Sequence, residues 1–458
     1  MRSCGILLPV FSLPSKYGIG CFSNEAIDFI NFLADAGQKY WQILPLVIPG
    51  AWDSPYQSPS TFAGNPLFID LEQLVQMGLL YQEELDSFDW ANSEYIDYGR
   101  VKWNKTQLLE RAFDRCRHDY FHNQYFKKFC EKNNHWLEDY VNYMSMKEGK
   151  DPGYYRFEQA LFMYQWKIVK SYANYKGVKI IGDLPIYVSM DSADVYYNKH
   201  LFELENGELS AVAGCPPDDF SADGQCWGNP LYNWDEHRRT GYDWWIRRVA
   251  HCFELYDVVR LDHFRAFYDY YSIPAKDGHA RNGVWKLGPG IDLFNKIHER
   301  LGHVEFIAED LGFVNQGVQD LMWQTGFPGM KILQFAFNGG KDNPYLPENI
   351  SENFVVYTGT HDNNTSLGWY NDASWWEREH LRQYIPNITD VSWNLADLAM
   401  STRANLCIIQ MQDFMNVDGR GRINTPGTCG WNWKWRMWEI PSVHIAWGIR
   451  QMVYRHNR

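Results

Sequence analysis

The segment VVRLDHFRAF, residues 258–267, ends an apolar run with Arg260, Asp262, His263 and Arg265 packed into six positions. Side chains two apart on a strand share a face, so Arg260 and Asp262 are expected to point together. A guanidinium beside a carboxylate fixes its orientation and favours its ionised form. Asp262 is therefore expected to stay charged, as a nucleophile must. Acids close three other apolar runs. Asp183 follows KIIG, Glu309 and Asp310 follow VEFIA, and Asp362 follows VVYTGTH. Glu309 suits the proton donor, because a partly desolvated carboxyl near other acids has its pKa raised. Spacing leaves Asp310 open as the inward group instead. His361 and Asp362, in GTHDNNT, could bind hydroxyls or supply a third carboxylate. Two carboxylates acting on an oxocarbenium-like transition state are the apparatus of glycoside cleavage.

These groups need one rim to bring them together. Eight short apolar segments read as strands: 5–11, 39–48, 179–188, 257–264, 304–312, 330–337, 353–362 and 404–413. Several are apolar on both faces, as parallel strands covered by helices are. Helical patterns lie between them, including NEAIDFINFLADAG with Asn24 as its cap, GVQDLMWQTG (317–326), ASWWEREHLRQYI (373–385) and a final amphipathic helix over 441–456. The expected architecture is α/β, a (β/α)8 barrel with its catalytic groups at the C-terminal strand ends. One catalytic barrel is expected over 1–458, with inserted, mostly helical subdomains at about 49–178 and 189–256. About 45 residues follow the last strand, so no separate C-terminal β-domain is expected.

Composition narrows the partners. A net charge of −13 disfavours nucleic acid and anionic membranes. The apolar N-terminal run GILLPVF is too short for a signal core or a membrane span. Nine cysteines with no CxxC pair read as reduced thiols in a cytoplasmic protein. His118 and His122 are four apart without an HExxH motif, and neither GxGxxG nor a P-loop occurs. No metal and no cofactor are expected. Aromatic residues reach 17%, with 21 tryptophans, which fits either an aromatic-rich core or surfaces that stack on flat ligands such as sugar rings.

The motifs then resemble a known family. SLPSKYGIG (12–20), AGQKYWQILPL (36–46), DSPYQSPSTFAGNPLFIDL (53–71), GDLPIYVSMDSADV (182–195), AGCPPDDFSADGQCWGNPLYNW (213–234), IAEDLG (307–312), YTGTHDNNT (357–365) and INTPGTCGWNWKWR (423–436) occur in the order of the 4-α-glucanotransferases, or amylomaltases, of glycoside hydrolase family 77. DSPYQSPSTFAGNP and GQCWGNPLY separate this family from ordinary α-amylases. The resemblance implies transfer of an α-1,4-glucan segment to the 4-hydroxyl of glucose or another glucan, through a retaining double displacement. It implies Asp262 as nucleophile, Glu309 as acid and then base, and Asp362 as third carboxylate. It implies sugar contacts from Ser54, Tyr56, Asp183, Asp218, Trp227, Arg260, His361 and Asn424. Maltooligosaccharides and other α-1,4-glucans are the expected partners. The glycine- and proline-containing stretch around Asp218 is expected to act as a lid. Two rivals remain: a hydrolase using water as acceptor, and a glucan-binding barrel without activity.

Overall fold

The computed structural model describes residues 2–91, 93–120, 122–217, 223–312 and 314–458. Eight parallel strands carry the fold: β1 Ser3–Leu7, β2 Tyr40–Gln42, β3 Lys179–Leu184, β4 Val258–Leu261, β5 Phe306–Ala308, β6 Gly329–Ile332, β7 Phe354–Tyr357 and β8 Leu406–Gln410. All eight lie inside or within one or two residues of the expected segments. Their order is β5-β4-β3-β2-β1-β8-β7-β6. The ring closes where the Ala308 amide donates to the Pro328 carbonyl at 2.9 Å. Each strand is shorter than its apolar run, because the chain leaves the ladder at the rim and continues as buried loop.

One set of side chains fills the ring. Leu7, Ile181, Val258, Ile307, Met330, Ile332, Val355, Tyr357 and Ile408 form a buried cluster, with Tyr40 against it. The strand period of two then fixes what stands above them. Ile181 is followed two residues later by Asp183, Val258 by Arg260 and then Asp262, and Ile307 by Glu309. The barrel core thus aims four of the predicted polar groups at the mouth. Asp362 arrives differently. β7 ends at Tyr357, and residues 358–365 form a loop rather than the strand end expected from the sequence.

Helices cover the outside. α1 spans Asn24–Asp35 and buries Phe29, Ile30, Phe32 and Leu33, but its N-cap is Ser23, with Asn24 already in the first turn. Between β2 and β3 lie three long helices, α2 Tyr98–Tyr120, α3 Gln124–Glu148 and α4 Pro152–Tyr175. Asp151 caps α4 by accepting from the Gly153 amide, with Pro152 at the first position, where a missing amide costs nothing. Further along are α5 Asp243–Leu255, α6 Ile291–Leu301, α7 Gln316–Thr325, α8 Trp375–Tyr384, α9 Val391–Ser401 and α10 Val443–Arg455. Among the described residues no helix is long and apolar enough to cross a membrane.

The helices of the 49–178 segment hold the loop that carries the DSPYQSPSTFAGNP motif. Gln159 of α4 pairs with both backbone groups of Gly64, at 2.7 and 2.9 Å. Gln165 does the same at Asp70, at 2.7 and 3.1 Å. The buried Lys105 of α2 donates to the carbonyls of Leu67 and Ile69. A Cβ on Gly64 would lie 2.2 Å from the Phe162 ring, so only glycine lets the loop pack this closely.

The connection over 189–256 is less helical than expected. Ala211–Cys215 and Gln225–Pro230 pair antiparallel, and Asp269–Pro274 and Val284–Leu287 complete a four-stranded sheet. The last two strands follow β4, where no extra structure was expected. Val212, Tyr271, Ile273 and Ala280 give this sheet a small core of its own. Its strands are short and stabilised by partners distant in sequence, so local patterning does not announce them.

Candidate active site

Arg260 is the centre of the site. Its side chain is 2% exposed and pairs with three carboxylates. Nη1 donates to Asp183 Oδ2 at 2.6 Å and to Asp262 Oδ1 at 3.1 Å, and Nη2 donates to Glu309 Oε2 at 2.8 Å. Strand register explains the first contact, because Asp183 lies directly across from Arg260 between β3 and β4. The second contact is the expected pair two apart along the chain. The third comes from β5, whose Ile307 is the Arg260 partner on the other side.

Glu309, not Asp310, is the inward acid. Asp310 turns away and accepts from the Met330 amide at 2.7 Å, which anchors the start of β6. Glu309 Oε2 accepts a second bond from the His263 amide at 2.7 Å. That amide is aimed by a left-handed backbone at His263, φ 47° and ψ 50°. A non-glycine residue in that region carries strain, found most often at functional sites.

The two central acids shift in directions opposite to those expected from the sequence. Burial pushes the Asp262 carboxyl well above the usual carboxylate range, and the Arg260 guanidinium at 3.1 Å does not offset this. Burial also acts to raise Glu309. There the Arg260 charge and the His263 amide prevail, and its pKa falls below the ordinary glutamate value. Two short donors on one oxygen make Glu309 the better-stabilised anion. The two carboxyls titrate as a coupled pair. Asp183 is raised by burial, against the pull of Arg260.

The third acid is held from the opposite side. The 358–366 loop is tied to β8 by the buried Asp413, which accepts from Thr358 Oγ1, Ser366 Oγ and the Ser366 amide. Gln334 and Gln410 both donate to the Asn364 carbonyl. Asp362 Oδ1 then accepts from Asn424 Nδ2 at 2.6 Å, and Oδ2 lies 3.4 Å from His361 Nε2. Tyr56 joins the two halves: its hydroxyl donates to Asp183 Oδ2 at 2.9 Å and lies 2.9 Å from His361 Nε2. Its ring stacks on His361, with Trp433 against both.

The structure therefore brings Tyr56, Asp183, Arg260, Asp262, Glu309, His361, Asp362 and Asn424 into one network. Trp227, on the antiparallel sheet, packs edge-on against His263 at 5.0 Å. Ser54 stands apart from the acids and accepts from the Tyr56 amide at 3.2 Å. Asp218 lies outside the described residues. Sequence reasoning missed Arg422, which donates to the backbone carbonyls of Asp362 and Asn424, both at 2.7 Å. It also missed the His263 amide and Trp433. A backbone donor leaves no trace in residue type, and Arg422 sits in a loop without period.

Comparison with known proteins identifies the family. The sequence model described as 4-alpha-glucanotransferase matches residues 8–153 and 147–440. A 4-alpha-glucanotransferase of Streptococcus pneumoniae serotype 4 is 42% identical, over 99% of this chain and 97% of its own. One from Thermus thermophilus is 41% identical over 97% of each. The amylomaltase from Streptococcus agalactiae, solved in complex with acarbose, superposes with a TM-score of 0.97 at 34% identity over 100% of both chains. The Corynebacterium glutamicum amylomaltase shares the fold, with a TM-score of 0.84 at 19% identity over all of this chain and 75% of its own.

Proposed function

The chain belongs to the 4-alpha-glucanotransferase family, and from that premise we propose that it transfers a segment of an α-1,4-glucan to the 4-hydroxyl of glucose or another α-1,4-glucan by retaining double displacement. The observation that carries the mechanism is the pair Asp262 and Glu309 held on neighbouring nitrogens of one guanidinium. That fork favours the short carboxyl spacing of retaining enzymes, about 5–5.5 Å, over the wider gap of inverting ones. Asp262 attacks the anomeric carbon. Glu309 protonates the leaving glycosidic oxygen, and the reducing-end fragment departs. Glu309 then takes the proton of the incoming 4-hydroxyl as the covalent bond to Asp262 breaks. Asp362, fixed by Asn424, grips sugar hydroxyls and favours the positive charge that develops at the anomeric centre.

Arg260 bonds both carboxyls and fixes them relative to each other. Sugar binding displaces solvent, and the nascent oxocarbenium favours the Asp262 anion. The antiparallel sheet, with Trp227 at its inner end, supplies the wall that keeps water from competing with the acceptor. The nine free thiols suit a reducing, cytoplasmic setting.

Incubation with maltotriose tests the reading. Glucose together with maltopentaose and longer chains is the expected product set by chromatography. Glucose and maltose alone would assign water as the acceptor and defeat the transferase reading. Asn424→Ala tests the Asp362 contact. A hydrogen bond to a charged group contributes about 1.5–3 kcal/mol, so kcat/KM is expected to fall about tenfold to a hundredfold. Unchanged kinetics would remove Asn424 from the site.

A further inference from the structure

A groove on the outer wall of the barrel, remote in sequence from the catalytic acids, is built from α9 and α10. It is open to solvent, with a volume of about 490 Å³, and is lined by Trp393, Asn394 and Asp397 of α9 and by Trp447, Gln451 and Arg455 of α10. Trp447 is 64% exposed. Trp393 is half-buried and fixed. Its Nε1 donates to the Phe414 carbonyl at 3.2 Å, and its ring meets Phe414 edge-on at 5.0 Å. Phe414 ends the helical turn that directly follows β8, so the Trp393 side of the groove is anchored to the C-terminal end of a barrel strand.

Gly448 makes room for this arrangement. A glycine inside a helix is destabilising relative to alanine. A Cβ there would lie 2.9 Å from the Trp393 ring, so the indole lies close over the α10 backbone. The result is a pre-set aromatic wall with a second, freely accessible indole beside it. Between them the hydrogen-bonding groups are neutral in sum. Asp397 Oδ1 accepts from Arg455 at 2.8 Å and from His456 at 2.9 Å, and Asn394 and Gln451 add amides. Aromatic faces that take C–H surfaces, amides that bond hydroxyls and a balanced charge fit an uncharged polyol, and disfavour phosphates or nucleic acid.

We propose that this groove is a second glucan-binding site, which holds a remote stretch of the same α-1,4-glucan polymer whose ends react in the barrel mouth. The proposal rests on the glucanotransferase reading for the identity of the sugar. Holding a polymer at the wall raises the effective concentration of its chain ends at the active site, an advantage that short oligosaccharides cannot use.

The test is affinity electrophoresis through gels containing glycogen, using Asp262→Asn so that nothing turns over. Adding Trp447→Ala is expected to weaken glycogen retardation about tenfold, the equivalent of about 1.4 kcal/mol. Adding Gln451→Ala, a change at an exposed helix position, is expected to weaken it about threefold, and thermal melting checks that both remain folded. In the active enzyme, Trp447→Ala is expected to raise KM for amylose while leaving maltotriose kinetics unchanged. Retardation equal to that of Asp262→Asn alone in both variants would overturn the groove. Maltotriose disproportionation measured on the parent enzyme reports separately on the transferase reading, so the two can fail independently.

Discussion

Asp262→Asn is expected to lower turnover of maltotriose on the order of 10⁴-fold or more, since no covalent intermediate can form without the nucleophile. Glucan binding should persist, because Tyr56, His361, Asp362 and Asn424, the residues proposed to contact sugar, are untouched. The stability consequence follows from the raised pKa of this carboxyl. A buried acid whose folded pKa exceeds its unfolded value binds more protons folded than unfolded across the window between them. Parent stability therefore falls as pH rises through that window. Asparagine mimics the protonated acid in shape and charge and carries no such penalty. The variant is expected to melt at or above the parent temperature at neutral pH, with the margin growing as pH rises through that window. Kinetics and melting curves on one preparation check both. Retained activity would remove Asp262 as nucleophile. A large drop in melting temperature would show that its negative charge, not its neutral form, supports the free site.

The barrel was legible because its information is local. Val258, Ile181 and Ile307 mark strands by composition, and the period of two carries each apolar residue to a polar one at the mouth. Arg260 and Asp262 were readable as a pair for the same reason. The choice between Glu309 and Asp310 was not. Both follow the same strand, and what decides is the Met330 amide, a partner 20 residues away that takes Asp310. Asp362 was placed on a strand end, but its position comes from a loop tied down by Asp413, Gln334 and Gln410. The antiparallel sheet was hidden because its strands are short and pair across the β4 connection. The direction of the Asp262 shift escapes a pairwise argument from Arg260, because burial opposes that charge and three acids share one guanidinium, with a backbone amide added at Glu309.

That division makes Arg260→Lys the most informative change after loss of the nucleophile. A lysine ammonium is a point charge on a flexible stem and cannot reach three carboxyls in the fixed geometry of a guanidinium fork. Turnover is expected to fall about a hundredfold or more, because Asp262 and Glu309 lose their shared template. The pH profile carries the specific signature. Arg260 lowers the pKa of both Asp262 and Glu309. Weakening that influence raises both, so the singly protonated pair that catalysis uses appears only at higher pH. The acid limb of kcat/KM is expected to move upward, whereas it would stay in place if burial alone set these acids. Arg260→Met takes the argument to its limit. It leaves the buried Asp183 and the part-buried Asp262 and Glu309 without the cation they share, and removing one partner of a buried ion pair costs about 3–5 kcal/mol. The three acids then hold protons more tightly folded than unfolded, so the lost stability should return as they protonate. The gap in melting temperature to the parent should narrow as pH falls. A gap independent of pH would mean that Arg260 stabilises the barrel by packing rather than by balancing Asp183, Asp262 and Glu309. An unmoved acid limb in Arg260→Lys would mean that the catalytic pair takes its proton order from burial and the His263 amide alone.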